Sequence, residues 1–585
     1  MAKPAKTQAA IRYRVDLGEA AAHQFRVQMT VPAPEPGQLL SLPVWIPGSY
    51  MVREFGRHLN GLAARQGRRP VALTQLDKTT WRAETQGSAA LTIEYRAYAF
   101  DTSVRTAFLD DGRGFFNATS LCLRAHGHEA VPHQVALASL PTGWEVATAM
   151  PPLAGERQAF VSADYDELVD HPFELGRFWR GHFEAGGVPH EFVVAGAWPG
   201  FDGDRLLADT RRICATQIAF WHGRGKAPFS RYVFMLNAME DGYGGLEHRA
   251  STALVANRRD LPRRDQPGLT EGYVTLLGLI SHEYFHTWNV KRLKPAEFMR
   301  FDYSRENYTR LLWFFEGFTS YYDDLLLRRA GLIDSARYLK LIARTVSGVR
   351  ATPGQQVQSV AESSFDAWNK YYRQDENTPN ATVSYYTKGS LVGLLLDLHL
   401  RQAGQSLDVL MRRLWKGCPG GALTEEAVLA EVAALGEPAL AESLRGWVHG
   451  RGELPLTEAL AAAGVQWGEE KAGWAASLGL KLSEGPVTGV QVKSVLLGGA
   501  AAAAGLCAGD ELLAVDGWRI RRLDDARQWV AEGQACELLV VRQQRVRSLR
   551  LKPLAAPTFE RSVTLAPQVQ PGPQALALRR AWLGD

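Results

Sequence analysis

The apolar residues of this chain change their spacing twice, and no single core can serve both spacings. Through the first ~170 residues they alternate. "IRYRVDL" puts Ile11, Tyr13 and Val15 on one face, and "HQFRVQMTV" does the same with Phe25, Val27 and Met29. In "LTIEYRAYAF", Ile93, Tyr95 and Ala97 oppose Thr92, Glu94 and Arg96. Period two describes strands with one face on a core and one in water, and "PAPEPGQ" and "DDGRG" read as the turns between them. An antiparallel β-sandwich is expected over residues 1–174. Residues 175–465 begin mixed, with "RYVFMLN" as a strand, and then become helical. "GLTEGYVTLLGLISHEYFHTWNV", "YTRLLWFFEGFTSYYDDLLLRRAG" and "YYTKGSLVGLLLDLHLRQAG" carry that pattern, the last closing on Gly404 as a C-terminal cap. Strands and helices that segregate in this way indicate an α+β domain. Short strands return after "HGRGELPLTEALAAAGVQWGEEKAG", in "SLGLKL", "GVQVKSVL", "DELLAVDGWRI" and "CELLVVRQQ". They define a small domain over 470–556, with a Pro-punctuated tail at 557–585 that either docks or frays. A multidomain chain agrees with the length of 585 residues.

Composition excludes several classes. With 46% hydrophobic and 22% charged residues and a net charge of +4, the chain reads as globular and only mildly basic. No run of Lys/Arg interleaved with aromatics points to nucleic acid. No apolar stretch approaches the ~20 residues of a membrane span, and the N-terminus lacks the apolar core of a signal peptide. The cysteines, Cys122, Cys214, Cys418, Cys507 and Cys536, are scattered and form no C-x-x-C pair. Buried thiols in a cytoplasmic protein are expected, rather than a disulfide framework or a thiolate zinc site.

The residues that carry chemistry lie in "LLGLISHEYFHTWNVKRLKP". On a helix, His282 and His286 project from one face and can bind one ion, while Glu283 beside them reaches a water rather than the metal. Two neutral imidazoles suit zinc, whose catalytic sites take three protein ligands and leave one position for water. Glu316 in "WFFEGFTSYYDD" is the expected third ligand, because a carboxylate among Trp313, Phe314, Phe315 and Phe318 needs a compensating charge. Glu306 is a rival in a polar setting. The cluster "HGHEAVPH" (His126 to His133) reads as a solvated loop.

"HEYFHTWNVKRLKP" followed by "WFFEGFTSYY" resembles the gluzincin metallopeptidases, and specifically the glycyl aminopeptidase family. "LPVWIPGSYMVREFGRH" (Leu42 to His58) and "RGFFNATSL" are similar to that family too, so the resemblance covers nearly the whole chain. It implies a thermolysin-like catalytic domain and one Zn²⁺ per chain. The stretch between His286 and Glu316 is longer than in the related aminopeptidase N group. "YYTKG" is similar to the Tyr-x-Lys-Gly element of gluzincins, which implies that Tyr386, or its neighbour Tyr385, stabilises the oxyanion. "DGYGGLEHRAST" resembles the Gly-x-Met-Glu-Asn edge strand of aminopeptidases, with His248 in place of Asn. There Glu247 would grip a substrate α-amino group, while Gly244 and Gly245 would let the substrate backbone approach. "GGAAAAAGLCAGDELLAVDG" resembles bacterial PDZ domains with Asp516 in place of Asn, its five alanines suiting a short helix. "SLGLKL" would then be a carboxylate-binding loop with backbone N–H groups at Leu478, Gly479 and Leu480.

The resemblance implies a zinc aminopeptidase that takes peptides with a free N-terminus and prefers small residues such as Gly and Ala. Glu283 would act as general base and Tyr386 as oxyanion donor. Two alternatives stay open. One is a zinc endopeptidase whose PDZ groove guides substrate choice. The other is a PDZ adaptor that binds protein C-termini beside an inactive peptidase core.

Overall fold

The computed structural model describes residues 10–531, 533–552, 554, 559 and 561–584. The chain forms two compact units. The first runs to Asn307 and takes in Gly420–Ala422; the second comprises Tyr308–Pro419 and the chain from Leu423 onward.

The first unit opens with the expected sandwich, although its main sheet is not wholly antiparallel: Ile11–Glu19 runs parallel to His133–Ala138. Strands β1 (Ile11–Glu19), β2 (Gln24–Val31), β3 (Leu59–Gln66), β4 (Arg69–Val71), β5 (Leu91–Tyr98), β6 (His133–Ala138) and β7 (Ala159–Ser162) form one sheet, ordered β7-β6-β1-β2-β5-β3-β4. The alternation decides which face is buried. Ile11, Tyr13, Val15, Phe25, Val27, Met29, Ile93 and Tyr95 point into a core shared with two four-stranded sheets, to which Leu40, Trp81, Phe116 and Phe173 belong. Phe116 bridges the layers, stacked on Phe173 at 4.7 Å and edge-on to Phe25 at 5.5 Å.

A five-stranded mixed sheet follows, built from β8 (Trp179–Ala185), β9 (Val188–Ala195), β10 (Tyr232–Met239), β11 (Gly244–Glu247) and β12 (Ser251–Asn257) in the order β8-β9-β10-β12-β11. Its central strands β9, β10 and β12 run parallel, and β10, buried along almost its whole length, is correspondingly almost all apolar. Among the described residues, strand β11 forms its ladder with β12 and is the outermost strand at that end of the sheet. Helices α1 (Gly203–His222) and α2 (Glu271–Phe285) complete this unit.

The second unit is mainly helical. The stretch read as one helix around Glu316 is divided into α3 (Leu312–Phe315) and α4 (Gly317–Arg329), with Glu316 at the junction. Helix α5 (Ser335–Arg350) follows, and α6 (Thr387–Gln402) ends as expected, Gly404 taking a left-handed φ of 73°. The PDZ module is a sheet of β14 (Leu480–Gly485), β15 (Gly489–Val495), β16 (Glu511–Val515), β17 (Cys536–Arg542) and β18 (Arg545–Leu551), with Ala500–Ala503 as the short alanine helix.

Two strands flank that module and pair with each other. Strand β13 (Val465–Lys471), just before it, lies antiparallel to β19 (Arg561–Pro567), just after it, in continuous register from Val465↔Pro567 to Lys471↔Arg561. The segment read as a tail therefore docks. After β19, helix α7 (Pro573–Leu583) buries Trp582, whose indole donates to the Tyr321 hydroxyl at 3.0 Å. The expected boundary between residues 556 and 557 lies outside the described residues. All five cysteines are free thiols, and no helix among the described residues is long and apolar enough to cross a membrane.

Candidate metal centre

Helix α2 starts at a Thr270 cap, whose hydroxyl accepts from the Tyr273 amide at 3.1 Å. Gln217 of α1 pins its far end by donating to the Ser281 carbonyl at 2.8 Å. His282 and Glu283 therefore occupy a fixed last turn, and His286 sits at the C-cap. The His286 Nδ1–H donates to the Asn289 carbonyl at 2.8 Å, which leaves the Nε2 lone pair as a ligand. Val290, next in the chain, is held at φ 121°, a conformation a β-branched residue adopts only under constraint. The Val290 amide donates to the Leu293 carbonyl and the Lys291 amide to that of His286, so the strained turn is part of what aims Asn289 at the imidazole.

The two Nε2 atoms lie 3.1 Å apart. A tetrahedral Zn²⁺ with bonds of ~2.0–2.1 Å would separate two nitrogen ligands by about 3.3 Å, so the pair fits that ion. Glu316 completes the group: one donor atom from each of His282, His286 and Glu316 lies within 4.8 Å of the others. Glu306 takes no part in it. His126 bonds Ser41 and His133 bonds a backbone carbonyl, and no other metal-competent group occurs among the described residues.

Glu316 and Tyr386 are brought together by two glycines. A β-carbon at Gly317 would stand 2.6 Å from the Gly389 backbone, so α4 and α6 touch main chain to main chain. Tyr386, at the N-cap of α6, feels the Glu316 carboxylate; burial and that charge together push its phenol pKa well above the ordinary value. The ring stacks on Tyr371 at 5.4 Å and its hydroxyl is 3.4 Å from that of Tyr372. Tyr385 is fully buried whereas Tyr386 is partly accessible, which sets Tyr386 apart from its neighbour.

With the donors placed, the whole chain can be set beside known proteins. It matches the Peptidase M61 N-terminal domain over residues 12–177, the M61 glycyl aminopeptidase family over 275–392 and a PDZ domain family over 491–542. It is 35% identical to an aminopeptidase N family protein from Idiomarina loihiensis, with a TM-score of 0.92 over 98% of this chain and 100% of that one. The chain belongs to the M61 glycyl aminopeptidase family. An M1 zinc metallopeptidase from Deinococcus radiodurans is similar at 16% identity and a TM-score of 0.46, over 76% of this chain and 94% of that one. A variant of that enzyme with a bound Tyr-Ser-Ala substrate is similar at 14% identity and a TM-score of 0.47, over 76% and 95%. No curated protein matches.

In this M61 metallopeptidase the expected substrate-side residues lie along β11. A β-carbon on Gly245 would fall 2.1 Å from Oε1 of Glu283, so the glycine is what lets Glu283 occupy its place. Glu247 is buried against Gly48 of the "IPGSY" loop, where an added β-carbon would meet both carboxylate oxygens at 2.6 Å.

The departure from the family pattern at His248 has a physical partner. Its Nδ1 lies 3.3 Å from Asp170, which also receives the Arg249 amide at 2.9 Å and the Lys291 ammonium at 2.7 Å. Burial would raise the Asp170 carboxyl, but Lys291, Arg249 and His248 more than reverse that and hold it well below the usual range. Burial lowers the His248 pKa to about 4, so the ring is neutral near pH 7. Sequence reasoning missed Asp170, which carries no local signal, and Lys291 and Asn289, which stand in plain view after the histidines.

In the PDZ module, the amides of Leu478 and Gly479 are already used. They donate to the Trp474 and Ala476 carbonyls at 3.1 and 2.9 Å, closing a helical turn (Trp474–Ser477) that the sequence did not announce. Leu480 opens β14 opposite Val495. Two of the three N–H groups expected to receive a chain terminus thus face their own chain.

Proposed function

We propose that this chain is a zinc aminopeptidase that removes small residues, Gly and Ala, from the free N-terminus of peptides. The convergence of His282, His286 and Glu316 carries the reading, and the fit of the imidazole pair to a tetrahedral ion supports zinc. Zinc, when bound, would supply Lewis acidity toward the scissile carbonyl and bring the pKa of a water to ~7. Glu283, on the helix that carries both histidines, takes the proton of the attacking water and returns it to the leaving amine. Tyr386 keeps its proton and donates it as a hydrogen bond to the oxygen on which charge develops. Glu247 holds the α-amino group at the far end of β11 and thereby sets how many residues are removed.

The test pairs metal analysis with two substrates. The purified protein should hold one zinc per chain, lose it in E316Q, and hydrolyse glycyl anilide but not its acetylated form. E247Q should lose at least ~10-fold more activity on the free amine than on a blocked peptide, in line with a charge-assisted contact. Equal losses would favour the endopeptidase, and absence of both zinc and hydrolysis would favour the adaptor.

A further inference from the structure

The outer edge of β11 carries a cation that the proposed mechanism does not use. The ladder between β11 and β12 fixes which backbone groups face that edge. The His248 amide donates to the Ser251 carbonyl at 2.9 Å, closing the hairpin on a hydrogen-bonded pair. In an antiparallel ladder such pairs alternate, so Leu246 and Gly244 bond toward β12 while Glu247 and Gly245 present their backbone groups outward. At Gly245 the outward carbonyl accepts from Nη2 of Arg105 at 3.2 Å, and Nη1 lies 3.6 Å from where a Gly244 β-carbon would stand. The guanidinium therefore stands on the edge where a substrate strand would add, beside the glycine that faces Glu283.

Arg105 is fixed there. Val104, its neighbour, packs in one cluster with Ile46, Phe108, Phe115 and Leu246, and the Val104 carbonyl accepts from Asn117 at 2.9 Å. Yet the charge is unmatched. Among the described residues Arg105 forms no ion pair, and its Nε is buried without a hydrogen-bond partner. Lys291 and Arg249, by contrast, are paired with acids. A planar fork with a buried, unsatisfied N–H is suited to two-point binding of a carboxylate.

We propose that Arg105 forms a subsite for the C-terminal carboxylate of the substrate, so that this enzyme is directed to di- and tripeptides. The inference rests on the reading that Glu247 takes the α-amine. With the amine at Glu247, a peptide antiparallel to β11 runs toward Gly245 and reaches the guanidinium after about two residues, or ~7 Å of strand. The ends of the edge then carry a carboxylate and a guanidinium, complementary to the two ends of a short zwitterion. A longer peptide places an uncharged amide where the carboxylate would pair.

The experiment uses the zinc-loaded full chain with Ala-Gly-Gly and its C-terminal amide. Wild type should favour the acid by at least tenfold in kcat/KM, chiefly through KM. In R105Q that ratio should fall to about one, and R105K should keep part of it. Because the ratio is read within one preparation, partial misfolding cancels. Should R105Q not fold, a wild-type length series decides: the preference for acid over amide must be present in tripeptides and gone in hexapeptides. Equal rates on acid and amide in wild type, or an unchanged ratio in R105Q, overturn the proposal while leaving the aminopeptidase intact. Hydrolysis of acetylated peptides alone would instead sink the amine reading beneath it.

Discussion

Glu283 can occupy its place only because residue 245 has no side chain, and this makes Gly245 as much a part of the proposed catalytic arrangement as the acid itself. Adding one methyl group puts a carbon 2.1 Å from Oε1 of Glu283, which must then move away from the position proposed for the water it would activate. G245A is therefore expected to lower kcat by at least ~10²-fold, the lower range for losing a general base. Thermal stability should change little, since an edge strand tolerates alanine. Steady-state kinetics beside a melting curve separates the two effects. The adjacent glycines were legible in the sequence as a place of close approach, but only toward a substrate. That the nearer neighbour is Glu283 could not be read, because α2 and β11 meet through the fold and not through sequence. Asp170 was illegible for the same reason: one aspartate in "ELVDHPF" looks like any other until Lys291, Arg249 and His248 surround it.

At the level of elements, the contact that matters is α4 against α6. Gly317 and Gly389 meet with no side chains between them, and this contact brings Tyr386 near Glu316. In G389A the new β-carbon would stand 2.8 Å from the Trp313 carbonyl oxygen, and backbone cannot rotate aside as a side chain can. The expected cost is about 1–3 kcal/mol of stability, read from denaturant unfolding. A fall in kcat should accompany it as the phenol and the carboxylate part. The strands of the sandwich and the helices around the histidines were legible because a 2-residue or 3.6-residue period is a local property. The break at Glu316 and the pairing of β13 with β19 were not. A partner strand on the far side of an entire domain leaves no mark on the residues beside it.

Across the whole molecule, buried histidines set the response to acid. His133, His190 and His248 have pKa values lowered to about 4, in each case mainly by burial. Unfolded, each would titrate near 6.5. Between about pH 6.5 and 4 the unfolded chain binds more protons than the folded one, so stability must decrease as pH falls through that window. Asp170, whose folded pKa is depressed, adds its own loss only below about pH 4, where the unfolded carboxyl begins to take up protons. A series of melting curves should show Tm dropping steadily from pH 6.5 to 4; a flat profile would mean that these rings are solvated. All three histidines belong to the first unit, so its transition should move first.

The pairing of β13 with β19 bears on how the PDZ module can be studied. Ending the polypeptide at Lys471 would discard the module, but it would also strip away β19 and the Trp582 anchor, and any lost activity would be misattributed. Because Lys471 and Arg561 already stand opposite each other, a short Asn-Gly hairpin splice between them should excise the module cleanly. The peptidase would keep both strands and its last helix.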